Sequence, residues 1–300
     1  MNFRTMQAAN RRKTIGLLLG MGALMWVVVY AALTYFGGTG AGIVPIAVGI
    51  SLVSVWGAYY GSDKLVLTMT GAKIIQESDN PKLFDLIQEI TIASGLPMPK
   101  VAVVIDDAPN AFATGRNPEH ALIAFTTGIL DVMDRDQLQG VIAHELAHVA
   151  NRDTLVSAVA ATTAGAIAIV SDILGRMMFF GGRRDRENQN PLALVVSLVV
   201  LLLAPIAAML LKSAISRKRE ALADATAVSF TRNPAGLRKA LEVLASDTTV
   251  VHQKSNAVAH IWIESPLDGQ TVSKLFSTHP PIQERIATLK AMESLGPTSN

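Results

Sequence analysis

Hydrophobic positions in this chain fall into two regimes: long runs with no charge at all, and shorter periodic stretches between them. From residue 14 to residue 62 there is no Asp, Glu, Lys or Arg, a run of 49 residues. A membrane-spanning helix needs about 20 apolar residues, so this run predicts two spans, at 15–36 and 42–60, divided at Gly37-Gly38-Thr39-Gly40. Two more uncharged runs follow at 154–171 and 188–211, of 18 and 24 residues. The first is of marginal spanning length. The second has a Val/Leu-rich middle, and Pro205 within it predicts a kink covered by a neighbouring helix.

Between these runs the periodicity is that of water-facing protein. Asn80-Pro81 opens a helix whose Leu83, Leu86, Ile87 and Ile90 fall on one face, and Gly95 with Pro97 ends it. Short β-branched or apolar runs at 101–105 and 121–125 read as strands. The stretch Asn110 to Gly115 between them reads as a further short strand or as a loop. Leu138, Val141, Ile142 and Leu146 give a helix over 136–152 with one apolar stripe. Helices are also predicted at 214–231, at 235–246, and after Pro280-Pro281, where Ile282, Ile286 and Leu289 share a face. The fold class is therefore mainly α with a small β-sheet: a multi-spanning helical membrane anchor plus an α+β domain interrupted by a hydrophobic hairpin. The segments are 1–62 (basic N-terminus and two spans), 63–153, 154–212 (the hairpin) and 213–300.

Composition agrees with lipid solvation. Half of the residues are hydrophobic and 17% are charged, against about 25% in a soluble domain. A net charge of +2, without a basic stripe, leaves no footprint for nucleic acid. Arg4, Arg11, Arg12 and Lys13 precede the first span, so the positive-inside bias puts the N-terminus in the cytoplasm and returns the chain there after the second. A cleaved signal peptide is the rival reading, but its apolar core is shorter than this one. The loop between the later runs carries Arg176, Arg183, Arg184 and Arg186, against the same bias. The hairpin at 154–211 thus either crosses against the rule or dips in without spanning.

Cysteine is absent, so any metal site must use His, Asp or Glu. His144-Glu145-Leu146-Ala147-His148 is an HExxH. On a helix, residues four apart lie one turn above each other, so both imidazoles reach one ion, and Glu145 sits where it activates a water on that ion. Histidine is scarce, six in 300 residues, and two of the six fall in this turn. A zinc protease needs a third protein ligand and one open position. Glu220 fits: it follows a basic run on a predicted helix, with Asp224 one turn beyond to accept the free ring N–H of a ligand histidine. A solvated helix face is the plain alternative for both. Against it, two hydrophobic segments separate His144 from Glu220, which restores the side of the membrane. The expected cofactor is one Zn2+ per chain.

Several motifs in order then carry a resemblance: NAFATG at 110–115, HELAHVANRD at 144–153, RKREALADATAV at 217–228, IWIESPL, and STHPPIQERIATL near the C-terminus. The chain resembles the HtpX-type membrane metallopeptidases, gluzincins related to the zinc-type CAAX prenyl protease. That resemblance implies a multi-pass protein of the bacterial cytoplasmic (inner) membrane with its active site facing the cytoplasm. It implies partners that are unfolded or damaged membrane proteins, cleaved as part of quality control, with the lipid bilayer around the spans. It also makes Asn110, Ala111, Phe112 and Ala113 an edge strand on which an extended substrate pairs. His279 becomes a donor to the oxyanion, and Arg285 an anchor for a carboxylate or for substrate. Read without it, His279 is a helix-start residue and Arg285 is exposed.

Three other readings fit the residues less well. A CAAX-type processing protease needs a larger intramembrane chamber than these spans build. A scaffold with structural zinc needs neither an open position nor Glu145. A zinc transporter wants His or Asp in mid-span, where there is none.

Overall fold

The computed structural model describes residues 41–155, 217–247 and 281–294, with Leu19–Tyr30, Trp262, Ile263 and a few single positions besides. The chain divides into two units: Met1–Gly61 with Val159–Ala214, and Ser62–Ala158 with Ile215–Asn300.

In the first unit, helix α1 (Leu19–Tyr30) buries Met21, Leu24, Met25 and Val28. Helix α2 (Ile43–Thr70) has 28 residues. Among the described residues, one segment is long and apolar enough to cross a membrane: the first 19 residues of α2, Ile43–Gly61. The multi-spanning anchor expected from sequence is therefore represented here by one such helix and the shorter α1. The expected pair at 154–171 and 188–211 lies almost wholly outside the described residues. The span expected at 42–60 coincides with Ile43–Gly61, but the helix that carries it runs on. No proline lies between Tyr60 and Gly71, and α2 runs through Gly61, Asp63 and Lys64. It stops where Gly71 takes φ +69° and the Ala72 N–H donates to the Leu67 carbonyl at 3.1 Å, a left-handed C-terminal cap that glycine adopts without strain.

The second unit is mainly helical around one small mixed sheet. Its strands are β1 (Lys73–Ile75), β2 (Lys100–Val104), β3 (Ala111–Thr114) and β4 (Leu122–Thr126), in the order β1-β2-β4-β3. β2 and β4 run parallel, with Ala102 opposite Ala124. β1 and β3 pair antiparallel on either side, Ile74 with Ala102 and Phe112 with Ala124. Helix α3 (Pro81–Ser94) starts as its sequence dictates: the Asn80 side chain accepts from the Leu83 N–H at 3.2 Å and Pro81 opens the first turn. Its expected face, Leu83, Leu86, Ile87 and Ile90, is buried.

After β4, the short helix α4 (Thr127–Val132) leads to α5 (Arg135–Ala150). Asp134 and Gln137 cap α5 reciprocally, each side chain accepting from the other's backbone N–H at 2.9 Å, which satisfies two otherwise orphaned donors. The other helices are α6 (Arg217–Thr231), α7 (Pro234–Ser246) and α8 (Ile282–Ser294). α5 packs on both α6 and α7 and is buried nearly all round. Glycine permits this approach. A Cβ on Gly140 would lie 2.5 Å from the Leu237 nitrogen, and one on Gly236 would lie 2.5 Å from the Asp136 carbonyl oxygen. The core thus pins the HExxH helix between the sheet side and the helices that follow the hydrophobic insertion.

Candidate metal centre

His144 and His148 stand on consecutive turns of α5, and Glu220 stands in the first turn of α6. One ligand atom from each lies within 4.8 Å of the others. The two Nε2 atoms face each other at 3.1 Å, while Glu220 oxygens lie 3.6 Å from the His144 Nε2 and 3.5 Å from the His148 Nε2. Two nitrogens and a carboxylate oxygen converging on one point is the donor set of a three-ligand zinc site with an open fourth position.

Behind the ligands the polarity is organised. His144 Nδ1 is 3.0 Å from Asp224 Oδ1. Asp224 is gripped in turn by Arg285, through Nε at 3.0 Å and Nη2 at 2.7 Å. Arg285 Nη1 also lies 3.5 Å from Glu220. On the other histidine, Nδ1 is 3.2 Å from Asp153 Oδ2, and Arg219 Nε lies 3.7 Å from Asp153 Oδ1. A ring whose Nδ1–H points at a carboxylate turns the lone pair of Nε2 toward a metal.

These groups are buried, and burial sets their protonation. Burial and then the Arg285 charge press His144 down to about 4. For His148 burial acts in the same direction, but Glu220 and Asp153 outweigh it and raise the ring to about 9. Asp224, which burial alone would raise, is held at about 2 by Arg285 and His144. Arg285 is raised above its ordinary value, Asp224 and Glu220 overcoming its burial.

Charge supports a divalent ion here. Among the described residues of the cluster, four buried carboxylates, of Glu145, Asp153, Glu220 and Asp224, stand against two buried guanidiniums, of Arg219 and Arg285. With neutral imidazoles two negative charges remain, and leaving them uncompensated in a dry site is costly. The His148 side chain, at 15% exposure, is the more open of the two ligands, against 1% for His144. Glu145 is buried and near enough to His148 and Arg285 to raise both.

A profile of peptidase family M48 matches residues 77–293. The chain belongs to that family. Its relatives place it in the HtpX group. A protease HtpX homolog from Syntrophobacter fumaroxidans is 46% identical over 250 residues, covering 82% of this chain and 89% of the relative. One from Streptococcus gordonii is 42% identical over 291 residues, 95% of this chain and 98% of the relative. Among solved structures, S. mikatae Ste24p superimposes with a TM-score of 0.52 at 16% identity, covering 95% of this chain and 66% of that one. That likeness is one of fold. M48 membership and the His–His–Glu cluster together make the chain a metalloprotease.

Of the residues singled out from sequence, the structure brings His144, Glu145, His148, Glu220, Asp224 and Arg285 into one cluster. Arg285 takes the first of its two expected roles, anchoring carboxylates, and the exposed position read without the resemblance is wrong. It is buried and engaged with Asp224 and Glu220, because two buried carboxylates need a buried cation more than a passing substrate does. Ala111, Phe112 and Ala113 lie in β3 at the edge of the sheet, with Asn110 just before it, but that edge is partly occupied. The Ala111 carbonyl accepts from the Ile263 N–H at 2.9 Å, the Ala111 N–H donates to the Asn110 side chain at 3.0 Å, and Trp262 packs edge-on against Phe112. His279 lies outside the described residues. Sequence reasoning missed Asp153 and Arg219. Their signal was present as an Asp five residues after the second histidine and an Arg just before the third ligand.

Proposed function

We propose that the chain is a membrane-anchored zinc endopeptidase of the bacterial cytoplasmic membrane. Its site faces the cytoplasm, and it cleaves misfolded or damaged membrane proteins, and some soluble ones, in quality control. The observation that carries the reading is the convergence of His144, His148 and Glu220 on one point with Glu145 buried beside them. An apolar helix at Ile43–Gly61 and the basic residues ahead of the first apolar run support the anchor and its orientation.

Those three residues would hold zinc, which would supply the Lewis acidity that makes a water nucleophilic near neutral pH. Glu145 takes the proton of the attacking water and passes it to the leaving amine. Asp224 and Asp153 hold the Nδ1 protons, so both Nε2 lone pairs stay aimed at the ion. Arg285 keeps Asp224 ionised while sharing its charge with Glu220. An extended substrate adds to the stretch of β3 beyond Ala111, where backbone hydrogen bonding is indifferent to side-chain identity. That indifference suits an enzyme acting on damaged chains of many sequences. By family resemblance, His279 donates to the oxyanion.

The test uses full-length protein in detergent, incubated with casein and with a fragment of a membrane protein, with and without a chelator. Chelator-sensitive, zinc-restored cleavage is the expected result. Cleavage that persists in metal-free protein would overturn the assignment. Cleavage of casein with a folded membrane protein and its damaged form cut equally fast would remove the quality-control role while leaving the chemistry.

A further inference from the structure

The catalytic unit is split in sequence. Its first part ends at Ala158 and its second begins at Ile215, with the hydrophobic runs between them. The ligands are split as well, two histidines before the insertion and Glu220 after it. Something must hold α6 in register with α5 to within the tolerance of a coordination sphere, although the chain joining them is long. Long closed loops resist only weakly the entropy that lets their ends drift.

Asp153 and Arg219 are placed to do this. α5 ends at Ala150, and Arg152 takes φ +60°, a left-handed conformation uncommon outside glycine and asparagine. The turn it makes leaves Asp153 beside its own helix, with Oδ2 3.2 Å from the His148 Nδ1. The other carboxylate oxygen lies 3.7 Å from Nε of Arg219, the residue immediately before Glu220. Both side chains are buried, at 5% and 6% exposure. Nearby, the Thr154 hydroxyl donates to the Gly115 carbonyl at 2.9 Å, so the exit of the chain is also tied back toward β3.

We propose that Asp153 and Arg219 form a buried clasp across the neck of the hydrophobic insertion, which registers the helix of Glu220 against the helix of His144 and His148. Both are positioning residues. Asp153 acts through His148, and Arg219 acts through Asp153 and through the backbone it shares with Glu220. The pair mirrors Asp224 and Arg285 behind the other histidine, with one difference: Asp224 and Arg285 lie on α6 and α8, both after the insertion, whereas the clasp joins the two sides of it. Metal affinity therefore depends on the geometry of the neck, and a change in the insertion that pulls the neck open lowers it.

The inference rests on the metal-centre reading. It is tested on full-length protein in detergent by competing zinc against a chelator of known affinity. Asp153→Ala and Arg219→Ala are each expected to weaken zinc binding about 10–100-fold. The double variant should be no weaker than Asp153→Ala alone, since coupled residues lose their shared interaction once. Arg219→Lys should recover part of the loss. If the alanine variants do not fold, Asp153→Asn and Arg219→Lys keep the side-chain volume and carry the same measurement. Zinc affinity unmoved while the metal-free protein melts lower would reveal a purely structural ion pair and overturn the clasp. So would losses that multiply in the double variant. His148→Ala separates the two levels. If it loses zinc while the clasp variants do not, only the clasp fails. If it keeps zinc, the metal centre fails and the clasp with it.

Discussion

His144 and His148 hold their Nε2 atoms 3.1 Å apart, with each Nδ1 facing a different aspartate. Two imidazoles in that arrangement have their Nε2 lone pairs directed at a common point. A divalent ion there satisfies both, and Glu220 completes the donor set. His144→Ala and Glu220→Ala should each take purified protein from about one zinc per chain to nearly none, measured by elemental analysis. Retention of stoichiometric zinc by either variant would take that residue out of the coordination sphere.

Glu145 is expected to separate binding from chemistry. Glu145→Gln keeps the shape of the side chain but not its basicity, so zinc content should be unchanged while cleavage falls by about 10²–10⁴-fold, the usual contribution of a positioned base. Initial rates on a fluorogenic peptide, normalised to zinc content, make the comparison. Rates close to those of the unaltered protein would show that another group takes the proton.

Zinc binding should expel protons, and the two histidines differ in their share. Without metal, His144 is lowered to about 4 and is already neutral at pH 7.5, whereas His148 is raised to about 9 and is charged. Ligation requires the neutral ring, so about one proton should leave per ion at pH 7.5. The number should decline as the pH passes 9. In the metal-free protein the same ring has the sign of a raised base: its stabilising contribution is complete below 6.5 and is lost as pH rises through about 9. Calorimetry in two buffers of different ionisation enthalpy counts the protons. Release of two at pH 7.5 would mean that His144 is charged as well or that a water on the ion has ionised, and the count repeated at pH 6, where such a water keeps its proton, tells the two apart.

Asp224 answers to two partners, so its loss should be felt twice. Asp224→Ala frees the His144 ring and leaves the buried Arg285 short of its bidentate partner. Zinc affinity should drop about 10–100-fold, and the fold should lose about 3–5 kcal/mol, as when one member of a buried ion pair is removed. Chelator competition and denaturant unfolding read the two effects separately. A variant as stable as the parent would show that Glu220 alone suffices for Arg285.

Away from the site, Gly140→Ala tests the helix packing. An added methyl meets backbone atoms of α7, which cannot swing aside as a side chain would. The gain of about 1 kcal/mol in helix propensity should be overridden by an overpacking cost of about 1–3 kcal/mol. The denaturation midpoint is expected to fall.

Much of this site could be read from local pattern. HExxH and the Glu220–Asp224 spacing each depend on a single helix turn, and the helix around them is announced by Leu138, Val141, Ile142 and Leu146. Helix α3 was equally legible, because Asn80, Pro81 and Gly95 mark both of its ends. What escaped depends on contacts between distant positions. Without the family motif, Arg285 looks like a surface residue until α8 is laid against α6. Asp153 shows no role until Arg152 has turned the chain. β1 is three residues long and mostly exposed, so it leaves almost no hydrophobic signature. The partial occupation of the β3 edge by Trp262 and Ile263 was illegible for the same reason, since those residues lie some 150 positions further along the chain.

The order in which the cluster's members occur along the chain has a consequence during synthesis. The histidines and Glu145 leave the ribosome first, Glu220 only after the whole apolar insertion, and Arg285 later still. Until that guanidinium arrives, Asp224 has no cation to hold it ionised against burial, and His144 lacks a firmly charged support. A chain that stops short of Arg285 is thus expected to be a poor hydrolase even when its motif is intact.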